Sequence, residues 1–180
     1  SFLFLSLSRA EWVPSSWTTV FDDLLSDDNE LDYEDEWNFN FSYIQTEEIT
    51  KEQKKRGWKI YSHCANGNFQ CTSCCKTWSS ARVVVLFRYR LRGARGSVIM
   101  RPFGQVCRSC TNNQFSRPGF SEQEVERALL RLFAKIRKNC YGEDDDSAAS
   151  GSPTPQYRTK PHEKSLCEAC LQGICCQDDD

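Results

Sequence analysis

Between Ala81 and Leu91 the chain alternates: Val83, Val85, Phe87, Tyr89 and Leu91 fall on one side, Arg82, Val84, Leu86, Arg88 and Arg90 on the other. A long strand is expected, apolar on one face and increasingly basic on the other. Arg92-Gly93-Ala94-Arg95-Gly96 supplies a glycine-rich turn, and Ser97–Val106 is expected to return as the antiparallel partner. Trp37, Phe39, Phe41 and Tyr43 alternate with two asparagines and a serine, which predicts a second, shorter strand. Trp12, Trp17, Phe21, Leu24 and Leu25 approximate a helical stripe. Ser121 with Glu124 three residues later marks the start of another helix. Its apolar stripe runs through Val125, Leu129, Leu132, Phe133 and Ile136 to Cys140, and Gly142 suits its end. Arg127, Arg131, Lys135, Arg137 and Lys138 cover much of its remaining surface, a solvated face that complements the helix dipole. The other stretches read as connections: acidic Asp27–Glu36, basic Lys51–Arg56, and a linker at Asp144–Pro155 that is acidic and then rich in Ser, Gly and Pro.

Cysteine changes this picture most. Eleven cysteines in 180 residues point to a chain stapled either by metal or by disulfides. Three Cys-x-x-Cys pairs, Cys71/Cys74, Cys107/Cys110 and Cys167/Cys170, favour metal. Two such pairs offer four soft ligands to a tetrahedral zinc. Cys71, Cys74, Cys107 and Cys110 are therefore expected to form one site, because an antiparallel hairpin returns both pairs to the same end of the sheet. His162, Cys167, Cys170 and Cys175 form a second local set, with Cys140 competing for the place of His162 or Cys175. Cys64, Cys75 and Cys176 have no role in this scheme, and His63 reads as an ordinary turn or surface residue. An apolar opening SFLFLSL and a sequon at Asn40 keep the secreted, disulfide-bonded alternative in view.

The expected fold is α+β: a zinc-stapled antiparallel hairpin, a stretched zinc ribbon, packed on one amphipathic helix. Residues 1–10 stand apart, 11–56 form an acidic N-terminal segment, and 57–176 form the zinc domain, with a linker near 143–160 and an acidic tail at 177–180. The core is small, so bound zinc, which contributes on the order of 10–16 kcal/mol in isolated fingers, is expected to dominate folding. Charge is segregated. Residues 11–48 hold twelve acidic groups and no basic one, 51–140 hold nineteen basic and four acidic, and 141–180 hold nine acidic and three basic. The basic middle suits phosphate, an acidic partner or the chain's own acidic arms. No apolar run approaches the roughly 18–20 residues of a membrane span, so the chain is expected to be soluble as it stands. Closed four-ligand zinc sites lack the open position that catalysis needs, and no nucleophile–base constellation is present, so no enzymatic activity is expected.

Gly57-Trp58-Lys59, Phe69-Gln70-Cys71-x-x-Cys74, Trp78 with the strand through Phe87, Gln105-x-Cys107-x-x-Cys110, Lys138-x-Cys140-Tyr141-Gly142 and Cys167-Glu168-Ala169-Cys170-Leu171-Gln172-Gly173 together resemble the receptor-transporting protein family. The likeness covers roughly residues 11–176. It implies a zinc-finger domain of three CxxC motifs that assists odorant, taste and other seven-helix receptors to the cell surface. The expected setting is the cytoplasmic face of the endoplasmic reticulum or plasma membrane. Family members are usually held there by a C-terminal transmembrane helix, which this sequence does not show. One branch of the family is antiviral and linked to RNA. That alternative would use Arg82, Arg88, Arg90, the Arg92/Arg95 turn and the basic helix for phosphate, with Trp78, Phe87 and Tyr89 available to stack on bases.

Overall fold

A computed structural model describes residues 10–110, 113–143 and 161–176. Helix α1 (Pro14–Ser26) begins on a proline, which a first helical turn accepts because its missing N–H has no partner there anyway. Strand β1 (Glu36–Phe41) follows, then a short helix α2 (Lys51–Lys55), then β2 (Lys59–Gln70), β3 (Thr77–Arg92) and β4 (Arg95–Pro102). These four strands make one sheet in the order β1-β4-β3-β2, with β1 parallel to β4 and the other pairs antiparallel. A two-stranded ribbon of β5 (Gln105–Val106) and β6 (Phe115–Ser116) leads to helix α3 (Glu122–Tyr141), and a single turn of helix, α4 (Glu168–Leu171), lies in the last segment. No helix among the described residues is long and apolar enough to cross a membrane.

The alternation in β3 has a different outcome on each face. Val85, Phe87 and Tyr89 join the main core with Trp17, Phe21 and Leu24 of α1 and Val125, Leu129, Leu132, Phe133 and Ile136 of α3. Val84 and Leu86, on the opposite face, are equally buried, against Phe103, Cys167 and Ala169. The sequence shows a basic second face. The structure covers Val84 and Leu86 with the C-terminal Cys/His segment, leaving Arg82 before them and the basic second half after them. There Arg88 donates to the carbonyls of Thr46 and Glu48 at 2.6 and 3.0 Å, and Arg90 lies 4.4 Å over the Trp58 ring.

Four local expectations are corrected. The strand after the turn ends at Pro102, not Val106; Gln105 and Val106 leave β3 to pair with Ser116 and Phe115. Proline cannot donate to a ladder, which makes Pro102 a natural last residue. Lys51–Arg56 is largely helical, closed at its start by a reciprocal capping box between Thr50 and Gln53. Asp27–Glu36 is not simply solvated: Leu31 is buried, Arg137 donates to the Glu30 carbonyl at 2.8 Å, and Tyr33 stacks on Tyr141 at 3.5 Å. His63 is buried, with Nδ1 2.9 Å from the Tyr61 hydroxyl. Thus the acidic N-terminal segment and the basic helix meet as parts of one core. The linker expected near 143–160 lies, apart from Glu143, outside the described residues.

Candidate metal centres

Cys71 closes β2. Its N–H donates to the Lys76 carbonyl at 2.8 Å, and its own carbonyl accepts from Cys75 N–H at 3.0 Å, which folds residues 71–76 into a tight knuckle. Cys75 takes the left-handed conformation that the turn requires, with φ 61°. The facing pair, Cys107/Cys110, follows β5. Gln105 ties it to the start of β3 by accepting from Trp78 Nε1 at 3.0 Å and donating to Ser80 Oγ at 2.8 Å. Lys76 Nζ reaches Ser109 Oγ across the two knuckles at 2.7 Å.

The sulfurs of Cys71, Cys74 and Cys110 all lie within 4.8 Å of one another. Cys107 stands outside that mutual set, with its sulfur 3.7 Å from Cys74. Zinc–sulfur bonds of about 2.3 Å put tetrahedral sulfurs about 3.8 Å apart, so the 74–107 pair already has the spacing of one tetrahedral edge.

The second group is local. His162 Nε2 lies 3.3 Å from Cys170 Sγ and 3.4 Å from Cys175 Sγ, and Cys167 and Cys175 sulfurs are 3.8 Å apart. All four ligand atoms fall within 4.8 Å of one another. A tetrahedral zinc with one imidazole and three thiolates needs nitrogen–sulfur edges of about 3.5 Å and sulfur–sulfur edges of about 3.8 Å. The donor set and its spacing fit zinc. Cys140 is in neither group and packs at the end of α3 against the main core.

The thiols perturb one another strongly. Backbone amides of Cys74 and Ser73 draw the Cys71 thiol down to about 7. Cys74 is drawn down by the Lys76 amide, yet burial and the neighbouring sulfurs of Cys71 and Cys107 leave it at about 11. Cys167 is brought to about 5, chiefly by the hydrogen bond from Cys175, while Cys175 is driven upward by that same bond. Clustered thiols cannot all ionise together, and a divalent cation removes that conflict by replacing the shared protons.

The Cys/His segment is docked on the sheet by the buried cluster around Phe103 and by a polar clasp. Gly104 N–H donates to Glu168 Oε1 at 3.0 Å, Glu168 N–H donates back to Gly104 O at 3.1 Å, and Arg101 lies 3.5 Å from the other carboxylate oxygen. A disulfide between Cys64 of β2 and Cys176 fixes its end. The bridge uses two of the four cysteines outside both ligand groups, so a disulfide and metal-ligand spacing, alternatives in the sequence, stand side by side. Nothing local signalled the pairing, because 112 residues separate its partners.

The basic strand offers no base-stacking surface through Phe87 or Tyr89, which are 0% and 1% exposed, and Trp78 is stacked on Phe69 at 5.2 Å. The basic surface is also partly committed: Arg88 to carbonyls, Arg101 and Arg137 to Glu168 and Glu30, Arg127 to Glu124 at 2.8 Å.

Residues 64–173 match the model of the 3CxxC zinc-ribbon family, described as a zinc-binding domain. Among curated proteins, receptor-transporting protein 3 of Mus musculus is 31% identical over 91% of this chain and 34% of its own length. Receptor-transporting protein 2 of Mus musculus is 36% identical, over 66% of this chain and 54% of its own. Receptor-transporting protein 4 of Homo sapiens is 35% identical, over 68% of this chain and 51% of its own. The chain thus spans between about a third and about half the length of these relatives. No solved structure gives a significant match. With both cysteine knuckles at one end of the sheet and the family match running from β2 to the last Cys/His cluster, the chain belongs to the 3CxxC zinc-ribbon family of zinc-binding domains, and its relatives are receptor-transporting proteins.

Proposed function

We propose that the chain is the zinc-stapled domain of an accessory protein that holds seven-helix receptors of the odorant or taste type and promotes their delivery to the cell surface. It would act at the cytoplasmic face of the endoplasmic reticulum and plasma membrane. Two structural zinc ions are assigned, one to Cys71, Cys74, Cys107 and Cys110, the other to His162, Cys167, Cys170 and Cys175. Each zinc is fully ligated by protein, so it shapes the surface and performs no reaction. The observation that carries the reading is the family match, which spans the first ligand group and all of the second except Cys175, with relatives named for receptor transport. The antiviral RNA alternative gains nothing from the structure, since two of its three stacking aromatics are sealed in the core.

Two experiments test this reading. Metal analysis of reduced, purified protein should give two zinc ions per chain and one for Cys71→Ser/Cys74→Ser. Surface staining of an epitope-tagged odorant receptor should rise when the chain is co-expressed and fall back with the double-serine variant. Equal surface receptor with and without the chain would reject the transport reading, whatever the metal content.

A further inference from the structure

Residues at the starts of α1 and α3 line one groove of about 690 Å³. Trp17 and Val125, both 1% exposed, close its floor. Trp12 and Phe120 stand half-buried at its sides, their rings 6.5 Å apart and edge to face. Trp12 is held in place: its Nε1 donates to the Tyr43 hydroxyl at 3.1 Å, and its ring meets Phe41 edge to face at 5.8 Å. The walls carry three exposed carboxylates, Glu11 before α1 and Glu122 and Glu126 one turn apart on α3. Among the described residues no basic side chain lines the groove, and none of these three carboxylates is in an ion pair.

Charge decides what such a space accepts. Two helix starts face it, and each contributes about half a positive charge, so three carboxylates still leave about −2. Support of α3 does not account for all three. Its start is already capped, with Glu124 N–H donating to Ser121 Oγ at 3.3 Å, and Glu126 lies beyond the first turn, where the dipole has faded. Aromatic rings add attraction for a cation, above all for Arg, whose guanidinium stacks on rings and bonds carboxylates in pairs. The apolar floor suits the hydrocarbon stem of the same side chain. Phosphate or an acidic peptide is repelled.

We infer that this groove is the docking site for a basic segment of the client receptor, with Arg or Lys side chains laid against Trp12 and Phe120 and paired to Glu11, Glu122 and Glu126. The partner's identity rests on the receptor reading: cytoplasmic loops of membrane proteins carry an excess of Lys and Arg within about 15–20 residues of the helix ends. No ligand of either metal group lines the groove, so zinc reaches it only through the fold.

The test uses the full zinc-loaded chain and a short fluorescein-labelled peptide that mixes Arg with Leu, read by fluorescence anisotropy. A second peptide carries citrulline at every Arg, which keeps the shape of the side chain and removes its charge. The parent should bind, and the citrulline peptide should bind at least about tenfold more weakly. Glu11→Gln/Glu126→Gln should weaken the parent by about tenfold, whereas Asp22→Asn/Asp28→Asn, which removes the same charge outside the groove, should not. The inference is overturned if the parent does not bind, or if the citrulline peptide binds equally, which would assign the groove to an apolar segment. It also fails if both double variants weaken binding alike, which would mean general attraction to an acidic surface. Surface staining of a co-expressed odorant receptor separates this inference from the reading it rests on. A rise with wild type that Glu11→Gln/Glu126→Gln abolishes supports both, and an equal rise with the variant overturns the groove while the transport reading stands. No rise with wild type rejects the transport reading and, with it, the receptor as the groove's occupant. The citrulline peptide acts on the unaltered protein, so a misfolded variant cannot rescue or hide the result.

Discussion

Trp37 of β1 sits where a side chain on Gly96 of β4 would be: a Cβ built there lies 2.1 Å from an indole ring carbon. The two residues are partners in the parallel pairing that joins the acidic N-terminal segment to the ribbon. The ring cannot step aside, because it is 8% exposed and its Nε1 donates to the Tyr141 hydroxyl at 3.1 Å.

Gly96→Ala is therefore expected to cost about 3 kcal/mol, at the upper end of overpacking penalties. Thermal melts of the metal-loaded protein measure it. A loss below about 1 kcal/mol would mean that β1 slides off the sheet at little cost.

A buried carboxylate supports the irregular part of β2. The β2–β3 register shifts between Ala65 and Gly67, which leaves the Asn66 N–H outside the ladder. Glu124, 2% exposed, accepts from that N–H at 3.3 Å and from the Asn66 amide at 3.2 Å. Glu124→Leu should cost about 3 kcal/mol, because an aliphatic group can replace neither the acceptor nor the partner of Arg127. Glu124→Gln should retain about half of that. Urea unfolding of the two variants separates the cases; equal losses would assign the effect to packing.

His63 makes stability sensitive to mild acid. Burial first, then the positive charges of Arg131 and Arg127, hold its imidazole at about 4. A folded value below the unfolded one means the unfolded chain binds the extra proton. The stabilisation is therefore complete above about 6.5 and is lost as pH falls toward 4. Between pH 7 and 5 the loss should be about 2 kcal/mol more for wild type than for His63→Asn, which keeps an acceptor for Tyr61. Parallel slopes for the two proteins would remove His63 from the account.

Covalent and metal staples should act separately. Cys64→Ala opens a loop of the size for which chain-entropy arguments give up to about 5 kcal/mol, and a measured loss of about 2–5 kcal/mol is expected. Zinc content should remain unchanged, since neither bridged cysteine belongs to a ligand group. Loss of the second zinc in this variant would show that the bridge positions Cys175.

The Cys-x-x-Cys knuckles were legible because short cysteine spacings are local, and α3 because its start at Ser121 and end at Gly142 are written beside its apolar stripe. The mixed sheet was much less so. β2 reads Lys-Ile-Tyr-Ser-His-Cys-Ala-Asn-Gly-Asn, with no clean alternation, because its register shift at Ala65/Gly67 breaks the period. The parallel joining of β1 to β4 depends on a chain reversal through about sixty residues, which no local pattern encodes. The basic residues misled in the same way: Arg88 and Arg137 look like free surface charge until the carbonyls of Thr46 and Glu30 are found beneath them.

The Cys64–Cys176 bridge turns nearly everything between those two residues, including both ligand groups, into a covalent ring. A single cut of the backbone anywhere inside it leaves one molecule of unchanged composition apart from an added water. Such nicked protein would migrate as a single species without reductant and as two pieces with it. Damage to this chain can therefore accumulate unseen in an oxidising setting and be revealed all at once when the bridge is reduced.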